Sequence, residues 1–450
     1  MSTLVKNTIN VLFSKLFMLC IMLCMHHPIY SQDISMQAFE KDLYFSNRNP
    51  AVPFDKKFNI GFPEGTGYLF SENNTLSNWL NTNNANGSRT ISLQNLWSHL
   101  ERKNYNLSSG YDVRTVSFGV KFKRIQFNLE HKISGDTYLE YNKDLVGLIA
   151  FGNYGLLNKE PLAKSQALDI GPSINTKLFQ SIGIDAAFIL NEHISIGGGV
   201  SFLSGLFSAV SDQHQFKLDI HDPLTLSANE NWSLRTADLV QSLSLDSFKI
   251  KHNPVNWSRH PGVSFKLGIF TQNQTSQFSL QVRDLGFINW DGTEYSRNAI
   301  TTYSGLQIND FLKIDKGLFD HIQDTIKNLA SVHTSNLVYK TSLSARIIAN
   351  GLYHLGDHWS IGGTGLYALN PINPYWKIMP FIRFTPSKIF SINGNLSIDS
   401  YSKLNAGLAG YIKLSVVHLY MGVENLPVLV APDQVNRFAA TLGLSVSWGK

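Results

Sequence analysis

Short segments in which apolar and polar residues alternate recur along the chain. In one of them, an apolar set alternates with a set of serines and glycines: Ile194, Ile196, Val200 and Phe202 against Ser195, Gly197, Gly199 and Ser201. The same period of two is found near 116–122, 182–188, 263–269, 278–283 and 404–414. Since successive side chains of a strand point to opposite faces, this pattern predicts many strands, each with one apolar face.

The connections between these segments predict an antiparallel meander. Asn191–His193 and Thr271–Ser276 are short polar links typical of hairpins. Longer excursions are predicted near 207–261 and 307–335, and the first is predicted either to be a loop throughout or to contain one strand pair. Helical spacing is found only at 92–103 and 311–329, and no stretch after the N-terminus reaches the roughly 18 apolar residues of a membrane helix.

The last strand of the chain favours a closed barrel. Leu442, Leu444, Val446 and Trp448 alternate with Gly443, Ser445 and Ser447, two residues before the sequence stops. An edge strand this apolar would promote aggregation if it stayed open, and barrel closure removes the edge. The sequence therefore predicts an all-β, transmembrane, antiparallel up-and-down barrel. A soluble or surface-exposed β-sandwich, such as an adhesin or binding module, is the alternative, because periodicity alone does not separate the two.

The N-terminus has the features of an export signal. Lys6 and Lys15 precede the apolar run 16–25, and the small residue Ser31 follows. This order predicts a cleaved signal peptide over residues 1–31. The alternative, a signal anchor, needs about 20 apolar residues. Both cysteines, Cys20 and Cys24, fall inside the predicted signal peptide, so we expect no disulfide or thiol-based site in the mature chain.

Composition agrees with an exported barrel. Charged residues make up 16% of the chain, against about 25% in an average soluble protein, and aromatic residues make up 12%. Loss of Lys6 and Lys15 reduces the 38 bases to 36, against 33 acids. That balance gives no reason to expect a nucleic-acid partner.

Several motifs resemble a Bacteroidota family of outer-membrane barrels of undefined function, which is related to the long-chain fatty-acid transporter (FadL) superfamily. They are Asn49-Pro50-Ala51 near the start, the segment that contains Asp284, Gly286 and Trp290, the stretch 419–425, and the terminal Trp448. The resemblance implies about 14 strands, with Asn49, Pro50 and Ala51 in a plug inside the barrel. An ordinary turn before the first strand is the alternative for these three residues, since Pro50 ends a helix in either case.

The resulting domain organisation has three parts. After the signal peptide, residues 32–110 are predicted to hold the plug-like segment and the first strands, and 111–450 the rest of the barrel. Aromatic residues near strand ends are predicted either to form interfacial girdles or to pack in the core: Trp290, Tyr375, Trp376, Tyr411, Tyr420 and Trp448.

Candidate chemistry is sparse. His354 and His358 are spaced four residues apart, but Gly356 lies between them, which favours a turn over a metal-binding helix. Gly197–Gly199 lies in an alternating strand and favours close packing over phosphate binding. We therefore expect no catalytic residue, metal or cofactor.

These observations predict a non-enzymatic protein of the cell outer membrane. It is either an accessory subunit of an outer-membrane complex or a carrier of apolar ligands. The resemblance includes accessory barrels of the type IX secretion system. Expected partners are outer-membrane lipid, the barrel insertion machinery, subunits of a secretion or assembly complex and an apolar ligand, but not nucleic acid.

Overall fold

The computed structural model describes residues 49–71, 74–82, 89–101, 103–159, 167–220, 226–238, 257, 259–303, 332–369, 375–400, 404–431 and 434–449. The predicted signal peptide and the predicted helix at 311–329 lie outside these residues. The predicted helix at 92–103 is present as α1, Leu93–His99, and begins at Ser92, whose hydroxyl accepts a hydrogen bond from the Asn95 amide. The second helix, α2, covers Lys143–Lys159. Among the described residues, no helix is both long and apolar enough to cross a membrane.

Strands account for most of the described chain. In order they are β1 Phe58–Gly61, β2 Glu64–Ser71, β3 Leu80–Thr82, β4 Arg89–Ile91, β5 Asn104–Phe122, β6 Ile125–Asn142, β7 Leu168–Asp169, β8 Ser173–Ile189, β9 Ile194–Ile220, β10 Leu226–Ala237, β11 Pro261–Gln272, β12 Ser276–Tyr303, β13 His333–Ser342, β14 Ala345–His354, β15 Trp359–Leu369, β16 Tyr375–Phe384, β17 Phe390–Asp399, β18 Asn405–Leu414, β19 Val417–Val423 and β20 Arg437–Trp448. Short 3₁₀ helices cover Leu76–Trp79 and Leu426–Leu429.

The sheet closes on itself. β20 pairs with β19 on one side and with β1 and β2 on the other, and β1 and β2 in turn pair with β5. The wall has 14 antiparallel strands, four of which consist of two segments each: β1 with β2, β7 with β8, β10 with β11, and β13 with β14. This confirms the predicted all-β barrel. The β-sandwich alternative is wrong, because one continuous sheet closes through its first and last strands.

The two ends of the barrel differ in their connections. Short links join β5 to β6, β8 to β9, β11 to β12, β14 to β15, β16 to β17 and β18 to β19, which confirms the hairpins predicted at 191–193 and 271–276. We call this the tight-turn end and the opposite one the loop end. The region near 207–261, expected to be a long excursion with or without a strand pair inside it, contains strand residues 207–220 and 226–237, which pair with each other. Both faces there are largely polar, so the strands were not visible as an alternating pattern.

Apolar side chains cover the outside of the barrel. On β9, Ile196, Val200 and Phe202 are 44–47% exposed, whereas Ser195 and Ser201 on the inner face are buried. The same division holds for the outward Phe118, Phe127, Ile184 and Leu267, each at least 44% exposed. This distribution of apolar and polar side chains is the reverse of that in a soluble protein, in which the apolar face of each strand is buried.

The wall is much taller on one side than on the other. β9 has 27 residues and β12 has 28, whereas β16, β17 and β18 have 10 each. At the loop end, α1 and α2 pack near the tall side: Trp97, Leu145 and Phe151 contact a cluster that includes Leu168 and Leu218. The tall side is therefore an ordered structure that rises above the rest of the barrel.

Candidate functional site: the barrel interior

The residues Asn49–Phe54, which we call the lumenal segment, lie inside the barrel near its tight-turn end. They form a turn in which the Val52 amide donates to the Asn49 carbonyl over 3.1 Å. The Asn49 side-chain oxygen accepts from the Ala51 amide at 3.0 Å. This local bond stabilises a turn geometry that Asn favours. Except for the half-buried Pro53, the segment is buried.

Polar side chains of the wall hold the backbone of the lumenal segment. Gln126 on β6 accepts from the Phe54 amide at 2.9 Å and donates to the Val52 carbonyl at 2.7 Å and to the Pro50 carbonyl at 3.3 Å. Ser195 on β9 donates to the Ala51 carbonyl at 2.6 Å. These bonds satisfy backbone groups that would otherwise be buried without partners.

Glycines on the inner wall make room for the lumenal segment. A Cβ on Gly197 would lie 2.6 Å from the Pro50 carbonyl carbon, and one on Gly268 would lie within van der Waals contact distance of the Asn49 side-chain oxygen. Gly197 and Gly268 are paired across β9 and β11. Gly197 therefore permits close backbone approach, as its position in the sequence predicted.

The lumenal segment also reaches the opposite side of the wall. Ala51 and Val52 pack in one buried cluster with Phe270 of β11, Ala409 of β18 and Tyr420 of β19. The segment thus spans the lumen between β6 and β9 on one side and β18 and β19 on the other.

A layer of buried ion pairs fills the lumen further from the tight-turn end. Arg114 contacts Glu64 and Glu130, and Lys266 contacts Glu130 at 2.8 Å and Asp185 at 2.7 Å. We call these five residues the ion-pair layer. They come from β2, β5, β6, β8 and β11, so a single network joins five strands across the interior.

Asp284, predicted as part of a family-like segment, extends this charged region. It lies at a bulge where the pairing of β11 with β12 shifts, and its φ is +58°. Its carboxylate is 3.3 Å from Arg346 and 3.8 Å from Lys132. Gly286 follows two residues later, and a Cβ there would collide with the Val263 carbonyl oxygen. The motif therefore shapes the wall where β12 bends.

Trp290 faces the interior. Its indole donates to the Thr341 hydroxyl at 2.7 Å, and its ring stacks on Tyr339 with centroids 6.4 Å apart. Of the residues considered for interfacial girdles, Trp290, Tyr375 and Tyr420 are buried and Tyr411 is half-buried, whereas Trp376 and Trp448 are 41% and 38% exposed. The girdle interpretation is thus wrong for the buried residues, and for Trp290 the bulge at Asp284 is the cause, because it reverses the faces of β12.

The terminal-strand residues lie together on the outer face of β20. Leu442 and Trp448 are exposed, and Leu444 and Val446 are half-buried. Trp448 pairs with Phe58 of β1, and their rings stack with centroids 5.7 Å apart. These side chains therefore cover the seam at which the barrel closes.

Small cavities lie between the charged side chains of the described interior. Two cavities of about 30 Å³ each lie among its charged residues, Arg114, Lys132 and Asp284 among them. A water molecule needs about 10–15 Å³ by this measure, so each cavity has the volume of about two or three waters. Among the described residues, no cluster of His, Cys, Asp and Glu could hold a metal ion. His354 instead contacts Ser360, and His358 contacts the Thr385 carbonyl.

Gln126 and the ion-pair layer were not recognisable from the sequence alone. The weak indication was that polar inner-face positions on β6 and β11 hold Gln, Glu and Lys rather than only Ser and Gly. Their partners lie 16 to 136 residues away in the chain, so their pairing is visible only in the fold.

Solved barrels resemble this chain in outline. A TodX deltaS2S3 mutant monoaromatic hydrocarbon channel is 7% identical, with a TM-score of 0.47, and the likeness covers 90% of this chain and 95% of that one. A Pseudomonas aeruginosa FadL homologue is 11% identical, with a TM-score of 0.45 and coverages of 91% and 94%. The Pseudomonas putida toluene transporter TodX is 7% identical, with a TM-score of 0.44 and coverages of 92% and 95%. We infer nothing about function from likenesses this low.

Sequence comparison assigns a family. No curated protein matches the chain significantly. The model of the Family of unknown function (DUF5723) matches residues 50–424, from the lumenal segment to the end of β19 and beyond, and the chain belongs to that family.

Proposed function

We propose that this protein is a non-enzymatic barrel of the outer membrane that acts as an accessory subunit of an outer-membrane complex. The observation that carries the proposal is the occupied lumen, crossed by the lumenal segment and by the ion-pair layer. A barrel filled in this way offers partners its outer and loop-end surfaces rather than a wide channel.

The outer surface supports a membrane location. Strands satisfy each other's backbone groups around a closed barrel, which is the arrangement that allows strands to span lipid. Outward apolar side chains and inward polar ones are typical of outer-membrane barrels, whose short turns face the periplasm and whose longer loops face outside. On this basis the tight-turn end faces the periplasm, and the lumenal segment is a plug at that end. Trp448 and its neighbours on β20 are the surface that we expect the insertion machinery to read.

A carrier of apolar ligands is the second candidate. Apolar side chains face inward from β2, β14, β15 and β16, where Phe70, Leu352, Leu366, Met379 and Phe381 are at most 5% exposed. These side chains fill each other's space in the described structure. A carrier role therefore requires them to separate and admit a ligand.

Two measurements test the proposal and separate the candidates. A tagged full-length barrel is extracted from outer membranes with detergent and run on a native gel. An accessory subunit migrates in a complex larger than the barrel, whereas a barrel that migrates alone and carries an apolar dye into liposomes supports the carrier. If the protein is released without detergent and its migration on gels does not depend on heating, both candidates fail.

A further inference from the structure

The outer face of the short side of the barrel carries a groove where side chains are missing. Its outward positions include Gly351 on β14, Pro380 on β16, Gly394 on β17 and Ala406 on β18. A Cβ on Gly351 or Gly394 would meet no atom within 4 Å. Large side chains border these positions, and Tyr353, Ile382 and Leu396 are 47–51% exposed. The groove is open to the surroundings and has a volume of about 1010 Å³, and we call it the outer groove.

The outer groove is a local feature and does not continue around the barrel. On the tall side, the outward positions hold Phe118, Phe127, Ile184 and Val200. The outward Gly198 of β9 leaves no comparable space, because a Cβ there would be 3.2 Å from the Leu267 side chain. The groove is also almost wholly apolar. Among the described residues that line it, Ser276 is the one outward polar side chain.

The course of the outer groove follows from the strand pairing. Phe278, Gly351, Gly363 and Pro380 form one cross-strand row on the outer face, and Tyr353, Ile361, Ile382 and Gly394 form the next. The groove crosses six strands, β12 and β14 to β18. A row across six strands spans five spacings of about 4.8 Å, or about 24 Å. Since barrel strands tilt by about 35–45°, the row is inclined by roughly 45–55° to the barrel axis.

These dimensions indicate the occupant. At that inclination the groove rises by about 14–17 Å, which is half of the roughly 30 Å hydrocarbon layer. It starts at β12 near the tight-turn end and ends near the loop end, where Ala406 and Leu426 line it. A chain that enters at the tight-turn end therefore belongs to a lipid of the periplasmic leaflet. A membrane-spanning helix is tilted by about 20° on average and seldom by more than 40°, so a rigid helix would cross the groove instead of following it. A flexible hydrocarbon chain has no such restriction.

We propose that the outer groove binds one acyl chain of a phospholipid of the periplasmic leaflet. The inference rests on the proposed membrane location. The bound chain would fill the space above Gly351 and Gly394 and contact the exposed faces of Tyr353 and Leu396. The favourable interaction is van der Waals contact. The bound chain packs closely against the backbone where side chains are absent, which mobile lipid does less well.

The test fills the groove without changing the rest of the wall. In the variant Gly351→Leu/Gly394→Leu, two leucines occupy the space assigned to the chain. The control is Gly365→Leu/Gly410→Leu, because Gly365 and Gly410 also have no atom within 4 Å of a Cβ but lie outside the groove. Full-length proteins are reconstituted in palmitoyl-oleoyl phosphatidylethanolamine vesicles, extracted in mild detergent and weighed by native mass spectrometry.

We expect wild type and control to retain one phospholipid, and the filled variant to retain it about tenfold less, which corresponds to about 1.4 kcal/mol. Heat-dependent migration on gels shows that each variant is folded. Equal retention by the folded filled variant overturns the inference while leaving the membrane location intact. A barrel dimer that the leucines abolish would overturn it too, because a second copy would then be the occupant. If no form of the protein enters vesicles, the proposed function fails instead.

Discussion

At the scale of single residues, the interior depends on side chains that hydrogen-bond to backbone groups, or form ion pairs with side chains, that are distant in the sequence. Gln126 uses both its amide atoms on the lumenal segment, 72 to 76 residues away in the chain. Arg437 and Asp399 form a buried pair at the loop end, with side chains that are fully shielded from solvent. Removing one partner in either case leaves buried polar groups without hydrogen bonds.

Substitution of Gln126 tests the attachment of the lumenal segment. Gln126→Ala removes three hydrogen bonds, each worth about 0.5–1.5 kcal/mol net. With a cysteine introduced as Val52→Cys, we expect maleimide labelling to become about tenfold faster, which corresponds to about 1.4 kcal/mol. Gln281→Ala is the control, because Gln281 is equally buried but its amide atoms have no hydrogen-bond partner in the described structure. Unchanged labelling in Gln126→Ala would show that the glycine contacts alone hold the segment.

The pair Arg437–Asp399 tests the cost of an uncompensated lumenal charge. Arg437→Leu leaves the Asp399 carboxylate buried, and loss of one partner of a buried pair typically costs about 3–5 kcal/mol. We expect the compact band on gels to disappear at lower temperature in Arg437→Leu, and Asp399→Leu added to it to restore part of the difference. Glu101→Gln, which breaks the exposed pair with Lys103, should leave the transition unchanged. A double variant no better than the single one would contradict this account.

At the scale of elements, each strand has to serve two different surroundings. On β9, Gly197 faces the lumenal segment and the next residue, Gly198, faces outward beside Leu267. On β12, the bulge at Asp284 exchanges the two faces, so that Leu280 and Leu285 point outward and Ile288 and Trp290 inward. One strand thereby contributes to the apolar exterior and to the packed interior at different heights.

Adjacent glycines of β9 provide a matched comparison. Gly197→Val places a side chain where Pro50 and Ala51 lie, so the lumenal segment has to leave its position. Gly198→Val meets the flexible Leu267 side chain on the outer face. We expect ion conductance across a planar bilayer to rise in Gly197→Val and to stay at the wild-type level in Gly198→Val. Equal conductance in the two variants would indicate that the segment does not limit passage.

At the scale of the whole molecule, closure depends on β20. This strand pairs with β19, β1 and β2, and Trp448 stacks on Phe58 at the seam. The pairing of β20 with β1 and β2 is the one that completes the sheet. The terminal outer-face residues are therefore positioned to influence assembly more than the stability of the finished barrel.

Assembly kinetics test that role. Trp448→Ala is expected to slow the appearance of the heat-modifiable form several-fold in a pulse-chase experiment, while the finished barrel melts nearly as wild type does. Trp376→Ala is the control, since Trp376 is similarly exposed on the outer face but belongs to β16. Equal rates for the two variants would assign Trp448 no special part in assembly.

Much of the wall could be predicted from sequence, and most of the interior could not. The alternation in β9 and β20 identifies strands, because both faces have distinct surroundings over the height of the apolar band. Above it, residues 207–220 and 226–237 lose the pattern, since water or protein lies on both sides. The inward position of Trp290 follows from a bulge that no local pattern reveals, and the bonds between Gln126 and Pro50 depend on strand order.

Because the wall is of unequal height, the sides of the barrel differ from one another around its axis. Strands rise about 3.3 Å per residue, so the upper parts of β9 and β12 stand several nanometres beyond the rim formed by the ten-residue strands. Among the described residues, the wall at the loop end is therefore high on one side and low on the other. A partner protein beside the low side of the wall could extend over the loop end of the barrel, whereas a partner beside the tall side would contact the strands of that side. Assembly into a complex would therefore fix the rotation of this subunit about the barrel axis as well as its position.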